Sequence, residues 1–462
     1  MQKKNRISAV LTAAMLSLTL LTGCGMQQIL PESSAVSEVT VSETGSTAAG
    51  TDLSDDPQTG LTGSTSDALT EQTGLTEQTA QTGQTGSTAT AGGSGGTGKP
   101  VTRQQGTVTA TRTTADSESG TVTTANASLP KSPEEILSGM TLEQKAAQMM
   151  LVGITDAKVA QQAAADGVGA LCMFALPYKN KTKAQVREMH AAIQKMAAIP
   201  MIISADEEGG TINRVSLNKN LRSSPFPSGK ELFAAGGWTA VISGTKEKSD
   251  LLLDLGLNVN LAPVCDVPLS SKNYIYNRCF SLDAGETAEY IGKVVTEMKK
   301  DGLGSVLKHF PGYGGSVDTH KQTGYDSRDY SAFENGDFLP FIAGIRAGAD
   351  AVMVSHNIVK CMDDKNPASL SPAVHRILRN TLGFDGVVIS DDLGMNAITL
   401  FTGGKNPAVA AVQAGNDLVA FADYKTSVAA IVKSVNGGQI PQSQIDASVL
   451  RILRWKRSLG LL

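Results

Sequence analysis

The chain has 462 residues, of which 40 are Lys or Arg and 44 are Asp or Glu, with a formal net charge of −4. A mildly acidic chain with no basic run outside its extreme N-terminus lacks the electrostatic footprint of a nucleic-acid binder, so no nucleic-acid partner is expected. The cysteines, Cys24, Cys172, Cys265, Cys279 and Cys361, form no CxxC and no metal-type spacing. That argues against a disulfide framework or a structural metal, although a single Cys265–Cys279 pair is compatible with the sequence.

In chain order, Lys3, Lys4 and Arg6 precede a largely apolar run, Ser8 to Leu21. This is the length of a signal-peptide core and short for a membrane span. It ends in Leu21-Thr22-Gly23-Cys24, which resembles the bacterial lipoprotein lipobox. The resemblance implies a signal peptide over 1–23 and a lipidated Cys24. The protein would then be tethered to the outer face of the cell membrane. Residues 24–130 are rich in Thr, Ser, Gly and Gln, and Leu69-Thr-Glu-Gln-Thr-Gly recurs imperfectly from Leu75. Such a segment buries too little apolar surface to offset its conformational entropy, so it is expected to be a disordered spacer.

From residue 131 the composition turns globular, with length enough for one large core. Ser132-Pro133-Glu134-Glu135 is a helix start with Pro at its first position. Short apolar runs then alternate with amphipathic stretches. The predicted strands are Met149–Val152, Gly169–Phe174, Met201–Ala205, Val259–Ala262, Ser305–Leu307, Ala351–Ser355, Val387–Ser390 and Leu418–Phe421. Helices are predicted between them, as at Lys183–Ala198, Glu286–Lys300 and Gly336–Ala347, and after the last strand near Ser443–Leu459. About eight strand–helix units over 131–462 point to an α/β fold, a (β/α)8 barrel. A doubly wound open sheet is the rival, without a GxGxxG fingerprint after the first strand.

Polar residues follow the predicted strands. Asp206, Asp266, Lys308 with His309, His356, and Asp391 with Asp392 all take such positions. In a parallel barrel these places share the C-terminal face, where barrel enzymes keep their chemistry. The densest stretch is Lys308-His-Phe-Pro-Gly-Tyr-Gly-Gly-Ser-Val-Asp318-Thr-His320, a polar loop rich in Gly and Pro behind a buried strand.

Four segments carry a family resemblance. They are Asp206-Glu-Glu-Gly-Gly210, Ala262-Pro-Val-Cys-Asp266, the Lys308–His320 block, and Ser390-Asp-Asp-Leu-Gly-Met395. Together they resemble glycoside hydrolase family 3, in its single-domain β-N-acetylglucosaminidase type. The resemblance implies a retaining β-N-acetylhexosaminidase with Asp391 as nucleophile and His320, paired with Asp318, as general acid and base. Asp206, Arg214, Arg278, Lys308 and His309 would bind the terminal sugar. A histidine suits the proton-shuttling role because its ordinary pKa lies near neutrality. No cofactor, metal or obligate protein partner is implied, and the substrate would be a GlcNAc-containing cell-wall fragment or chito-oligosaccharide. Two positions depart from the family pattern. Tyr313 stands where a His is usual, in a loop one residue shorter, and Glu207 replaces a common Gln. Glu207 is read as a solvated carboxylate, and Glu208 as a loop support accepting backbone N–H bonds. His190 and His375 are read as surface residues, and His356 as structural or substrate-facing alike. The alternatives are a family 3 glycosidase or phosphorylase of other specificity, and a non-catalytic sugar-binding lipoprotein.

Overall fold

The structure, a computed structural model, describes residues 131–462 apart from Lys405. The expected signal peptide, the lipidated Cys24 and the spacer lie outside the described residues.

Eight parallel strands form the centre: β1 (Met150–Ile154), β2 (Ala170–Met173), β3 (Ile202–Ala205), β4 (Val259–Asn260), β5 (Gly304–Phe310), β7 (Ala351–Val354), β9 (Val387–Ser390) and β10 (Val419–Ala420). They pair in the order β10-β1-β2-β3-β4-β5-β7-β9. Closure comes between the two ends of that order, β9 and β10, where Ile389 bridges Leu418 in parallel and the Ser390 N–H reaches the Leu418 carbonyl at 3.0 Å. The barrel is therefore continuous, and the open-sheet rival is excluded. Each strand is buried along nearly its whole length, as expected when side chains fill the barrel inside and helices cover it outside. All eight predicted strands occur, Val387–Ser390 with the same ends and the others with ends differing by up to three residues.

The covering helices start and stop where local chemistry dictates. Ser132 and Glu135 form a reciprocal capping box at the helix Pro133–Ser138, and Thr182 with Gln185 forms another at Lys183–Met196. Each box satisfies N–H groups that a helix start leaves unpaired. The helix Ala284–Asp301 ends at Gly302, whose φ of 83° lies in the left-handed region, a conformation glycine adopts without a Cβ clash.

A short parallel pair outside the barrel was absent from the predicted elements: β6 (Tyr325–Asp326) with β8 (Ile358–Val359). Two residues per strand leave no periodicity to read. The pair ties the chain that follows β5 to the loop that follows β7. Arg328 reinforces it, gripping Asp326 at 2.8 Å and Asp337 at 2.7 Å. Cys172, Cys265, Cys279 and Cys361 are free thiols, so the Cys265–Cys279 disulfide does not form.

Candidate active site

The C-terminal ends of the strands open into a cleft of about 670 Å3. Asp206, Arg214, Arg278, Lys308, His309, His320, Asp391 and Asp392 all line it. Asp318 is placed by its bond to His320. The fold thus brings together every residue that the resemblance named as catalytic or sugar-binding.

The floor is a charge network built on β5. The register of β5 against β7 shifts between Lys308 and Phe310. Such an irregularity re-aims side chains that would otherwise alternate between faces, and Lys308 and His309 both reach the cleft. Lys308 Nζ is 2.7 Å from Asp206 Oδ1 and 2.7 Å from Glu208 Oε1. Arg278 grips both oxygens of Glu208, at 2.7 and 3.0 Å. Burial alone would push the Glu208 carboxyl up. The charges of Arg278 and Lys308 overcome that and hold it well below the usual carboxylate range. Burial likewise works against the Lys308 ammonium, but Asp206 and Glu208 outweigh it and raise its pKa. Both groups stay ionised, which a buried pair achieves only with close, mutual partners.

His309 is fixed from behind. Its Nδ1 lies 2.6 Å from Asp266 Oδ2, and the other Asp266 oxygen accepts the Tyr313 N–H at 2.8 Å. A carboxylate only accepts, so the proton sits on Nδ1, and Nε2 faces the Arg278 guanidinium at 3.2 Å. Asp266, fully buried, is a positioning residue to which the sequence assigned no role; its place after β4 was the available signal.

Asp391 follows β9. Its backbone N–H donates to the Val354 carbonyl at 2.9 Å, and its Oδ1 accepts the Asp392 N–H at 2.9 Å. Burial would raise its pKa, but the facing His356 and His309 imidazoles lower it overall. The group is therefore a carboxylate at neutral pH, as a nucleophile must be. His356 is buried and points away from solvent, with Nε2 2.8 Å from the Asp392 carbonyl and Nδ1 2.7 Å from Ser369 Oγ. It braces the backbone beside Asp391, a structural part. Asp392 is pushed up to about 6, by burial first and by the Asp391 charge in addition, while the Gly394 N–H works against the rise.

The Asp318–His320 pair rides on the loop after β5. His320 Nδ1 lies 2.8 Å from Asp318 Oδ1, and the His320 backbone N–H donates to the same oxygen at 3.1 Å. Nδ1–H therefore faces the carboxylate and Nε2 is free to exchange a proton. The His320 side chain is 61% exposed. Gly312 and Gly314 earlier in the loop serve close approach. A Cβ on Gly312 would lie 2.2 Å from Asp337 Oδ1, and one on Gly314 2.3 Å from an Arg328 guanidinium nitrogen.

Several readings from sequence are corrected. Glu207 is not solvated but fully buried, and it is Glu207 that supports the loop. Its Oε2 accepts the N–H groups of Arg214 and Val215 at 2.8 and 2.7 Å, and its Oε1 accepts Ser216 N–H and Oγ–H. Glu208 faces the cleft cations instead. Adjacent residues leaving a strand point opposite ways, so the two acidic residues exchange the expected roles. His190 and His375 are buried, not on the surface. His190 Nδ1–H donates to the Leu255 carbonyl, 2.7 Å away, and its burial was foreshadowed by the stripe Val186, Met189, His190, Ile193. Among the described residues, no group of three or more His, Cys, Asp or Glu side chains is arranged to hold a metal ion.

Known proteins share this architecture. Residues 141–455 match the family described as glycosyl hydrolase family 3 N terminal domain. The beta-hexosaminidase of Xanthomonas campestris pv. campestris (strain B100) is 32% identical over 279 residues, covering 59% of this chain and 83% of that protein. A solved glycoside hydrolase family 3 beta-N-acetylglucosaminidase from Paenibacillus sp. str. FPU-7 aligns with a TM-score of 0.66 at 31% identity. That alignment covers 70% of this chain and 63% of the other, so this chain spans under two thirds of that structure's length. The beta-N-acetylhexosaminidase of Beutenbergia cavernae DSM 12333 aligns with a TM-score of 0.61 at 28% identity, over 69% of this chain and 99% of that one. With a matching family over most of the barrel and a closed parallel barrel to carry it, the chain belongs to glycosyl hydrolase family 3 and is a glycoside hydrolase.

Proposed function

We propose that this enzyme is a retaining β-N-acetylhexosaminidase that removes terminal β-GlcNAc from cell-wall fragments or chito-oligosaccharides. The observation that carries the reading is the convergence in one cleft of the ionised Asp391 carboxylate with an imidazole–carboxylate pair, His320–Asp318. Retaining hydrolysis needs a nucleophile under the anomeric carbon and a proton donor at the leaving oxygen. An Asp391 oxygen would bond to C1 as the C1–O bond breaks, and the His320 Nε2 proton would pass to the departing oxygen. Water would then attack C1 of the glycosyl-enzyme, giving its proton to Nε2 and releasing Asp391. Asp318 would hold the ring and stabilise its cationic form, much as a carboxylate does in a serine-protease triad. Asp206, Arg214, Arg278, Lys308 and His309 would present fixed donors and acceptors to the sugar hydroxyls and the acetamido carbonyl.

The test is turnover of 4-nitrophenyl β-N-acetylglucosaminide and of the matching glucoside, with and without phosphate. The reading expects turnover of the first compound, indifferent to phosphate; a sugar 1-phosphate product would make the enzyme a phosphorylase instead. Asp391→Ala abolishes turnover, and full activity in that variant would overturn the nucleophile assignment. His320→Ala slows substrates with poor leaving groups far more than activated aryl glycosides, because the proton matters most where the leaving group is basic. Equal losses on both would remove His320 from the acid role.

A further inference from the structure

Beside the cleft lies a second depression, an open groove of about 1080 Å3 between the loops that follow β2 and β3. Arg214 lines both spaces. The groove is otherwise formed by Leu176, Lys179, Asn180, Leu217, Lys219 and their neighbours, with no Asp or Glu among its lining residues. Lys179 and Lys219 are exposed, and neither takes part in an ion pair among the described residues. Arg214 is poorly partnered. Its Nε is buried without a hydrogen-bond partner, and its nearest carboxylate oxygen, on Asp206, is 3.9 Å away.

The barrel order fixes which end of a bound sugar meets this groove. In the ring of eight strands β3 stands four places from β9 in either direction. Asp206 and the Arg214 loop therefore lie across the barrel from Asp391. A sugar whose anomeric carbon sits over Asp391 directs its far edge, which carries C4 and C6, toward Arg214. The groove lies beyond that edge, away from the scissile bond, so it is not where the leaving group departs.

We propose that this groove is a subsite for a phosphate ester carried on the far edge of the terminal sugar, held by Arg214, Lys179 and Lys219. The inference rests on the hexosaminidase reading for the identity of the sugar. Two exposed lysines in a groove lined by no Asp or Glu, beside an arginine held only at 3.9 Å by Asp206, favour a compact dianion. An arginine with an unpaired buried N–H gains from a ligand oxygen more than one already saturated.

The test separates the two readings. Calorimetric titration of the full-length enzyme with GlcNAc and with GlcNAc 6-phosphate measures the subsite without turnover. The phosphate binds more tightly at low ionic strength, and the advantage shrinks as salt is added. In Lys179→Ala/Lys219→Ala the affinity for the phosphate falls on the order of tenfold while that for GlcNAc stays the same. In hydrolysis, the same variant raises KM for the 6-phosphorylated 4-nitrophenyl β-N-acetylglucosaminide and leaves the unsubstituted compound unchanged. Equal affinity for the two sugars, or equal losses in the variant, overturns the subsite. No turnover of the unsubstituted compound overturns the hexosaminidase reading, while the titration still decides the groove.

Discussion

Tyr313 shows how a single departure from the family pattern is absorbed. A polar aromatic at the rim of a sugar cleft invites the expectation of a hydrogen bond to substrate. Instead the phenol is almost fully buried and its hydroxyl bonds to Thr319 Oγ1. Its ring packs edge-on against His309, at 5.2 Å between centroids, and against Tyr274 at 5.3 Å. Its own N–H is held by Asp266. Tyr313 is thus a strut from the barrel floor to the residue between Asp318 and His320. In Tyr313→Phe the ring packing survives and the strut is cut. The expected result is a fall in kcat that is larger for poor leaving groups than for aryl glycosides, with little change in KM. Thr319→Val should reproduce it, and the double variant should be no worse than either single one, since both remove the same bond. A uniform loss across leaving groups would mean that Tyr313 acts only through stability.

At the scale of the element, the loop after β3 depends on one buried carboxylate. Glu207 collects the N–H groups of Arg214, Val215 and Ser216 and the Ser216 hydroxyl, so it sets where Arg214 stands. In Glu207→Gln the amide can still accept from Arg214 and Val215, and Ser216 Oγ can turn to accept from it. The Ser216 N–H then faces another donor. Leaving one buried N–H unpaired costs about 1–3 kcal/mol, and Glu207→Ala should cost more because no acceptor remains. Denaturant unfolding of the two variants against the parent checks the order; an unchanged midpoint for Glu207→Ala would deny the loop its support. This loop also marks where the sequence stops being legible. The strands could be read because each is a short apolar run, and Asp206, Asp266, Lys308, His309, Asp391 and Asp392 because they sit at or soon after a strand end; Arg214, Arg278, Asp318 and His320 were named only through the family resemblance. Which of Glu207 and Glu208 turns inward depends on the 212–216 segment folding back, and no local pattern carries that. The β6–β8 pair is hidden for the same reason: its partners lie 33 residues apart, as Tyr325 and Ile358 do, and only the assembled face brings them together.

At the scale of the described molecule, both ends of the barrel hold buried charge, but not in the same way: before β10, Asp417 is paired with Arg379 and Arg451, whereas Lys456 has no such partner. Lys456, on the last helix (Gln442–Ser458), is fully buried near the start of β1, and its Nζ bonds to Gln148 Oε1 at 2.7 Å. No carboxylate pairs with it among the described residues. Burial lowers its pKa to about 7, against an ordinary lysine value of about 10.4 in the unfolded chain. The sign follows directly. Below pH ~7 the amine is charged in both states, and the folded state bears the full cost of a buried ammonium. Between pH ~7 and ~10 the unfolded chain binds more protons, so the contribution of Lys456 to stability rises with pH across that window. Lys456→Met removes the ammonium but leaves Gln148 Oε1 without its donor. The variant should therefore melt higher than the parent at pH 6, by roughly 3 °C or more. The gain should shrink as pH rises, and by pH 10 the order should reverse, because the neutral amine of the parent still satisfies Gln148. Melting curves of both proteins from pH 6 to 10 decide it. A difference independent of pH would mean that the buried lysine keeps one charge state throughout, through a partner or water that the packing around Gln148 admits.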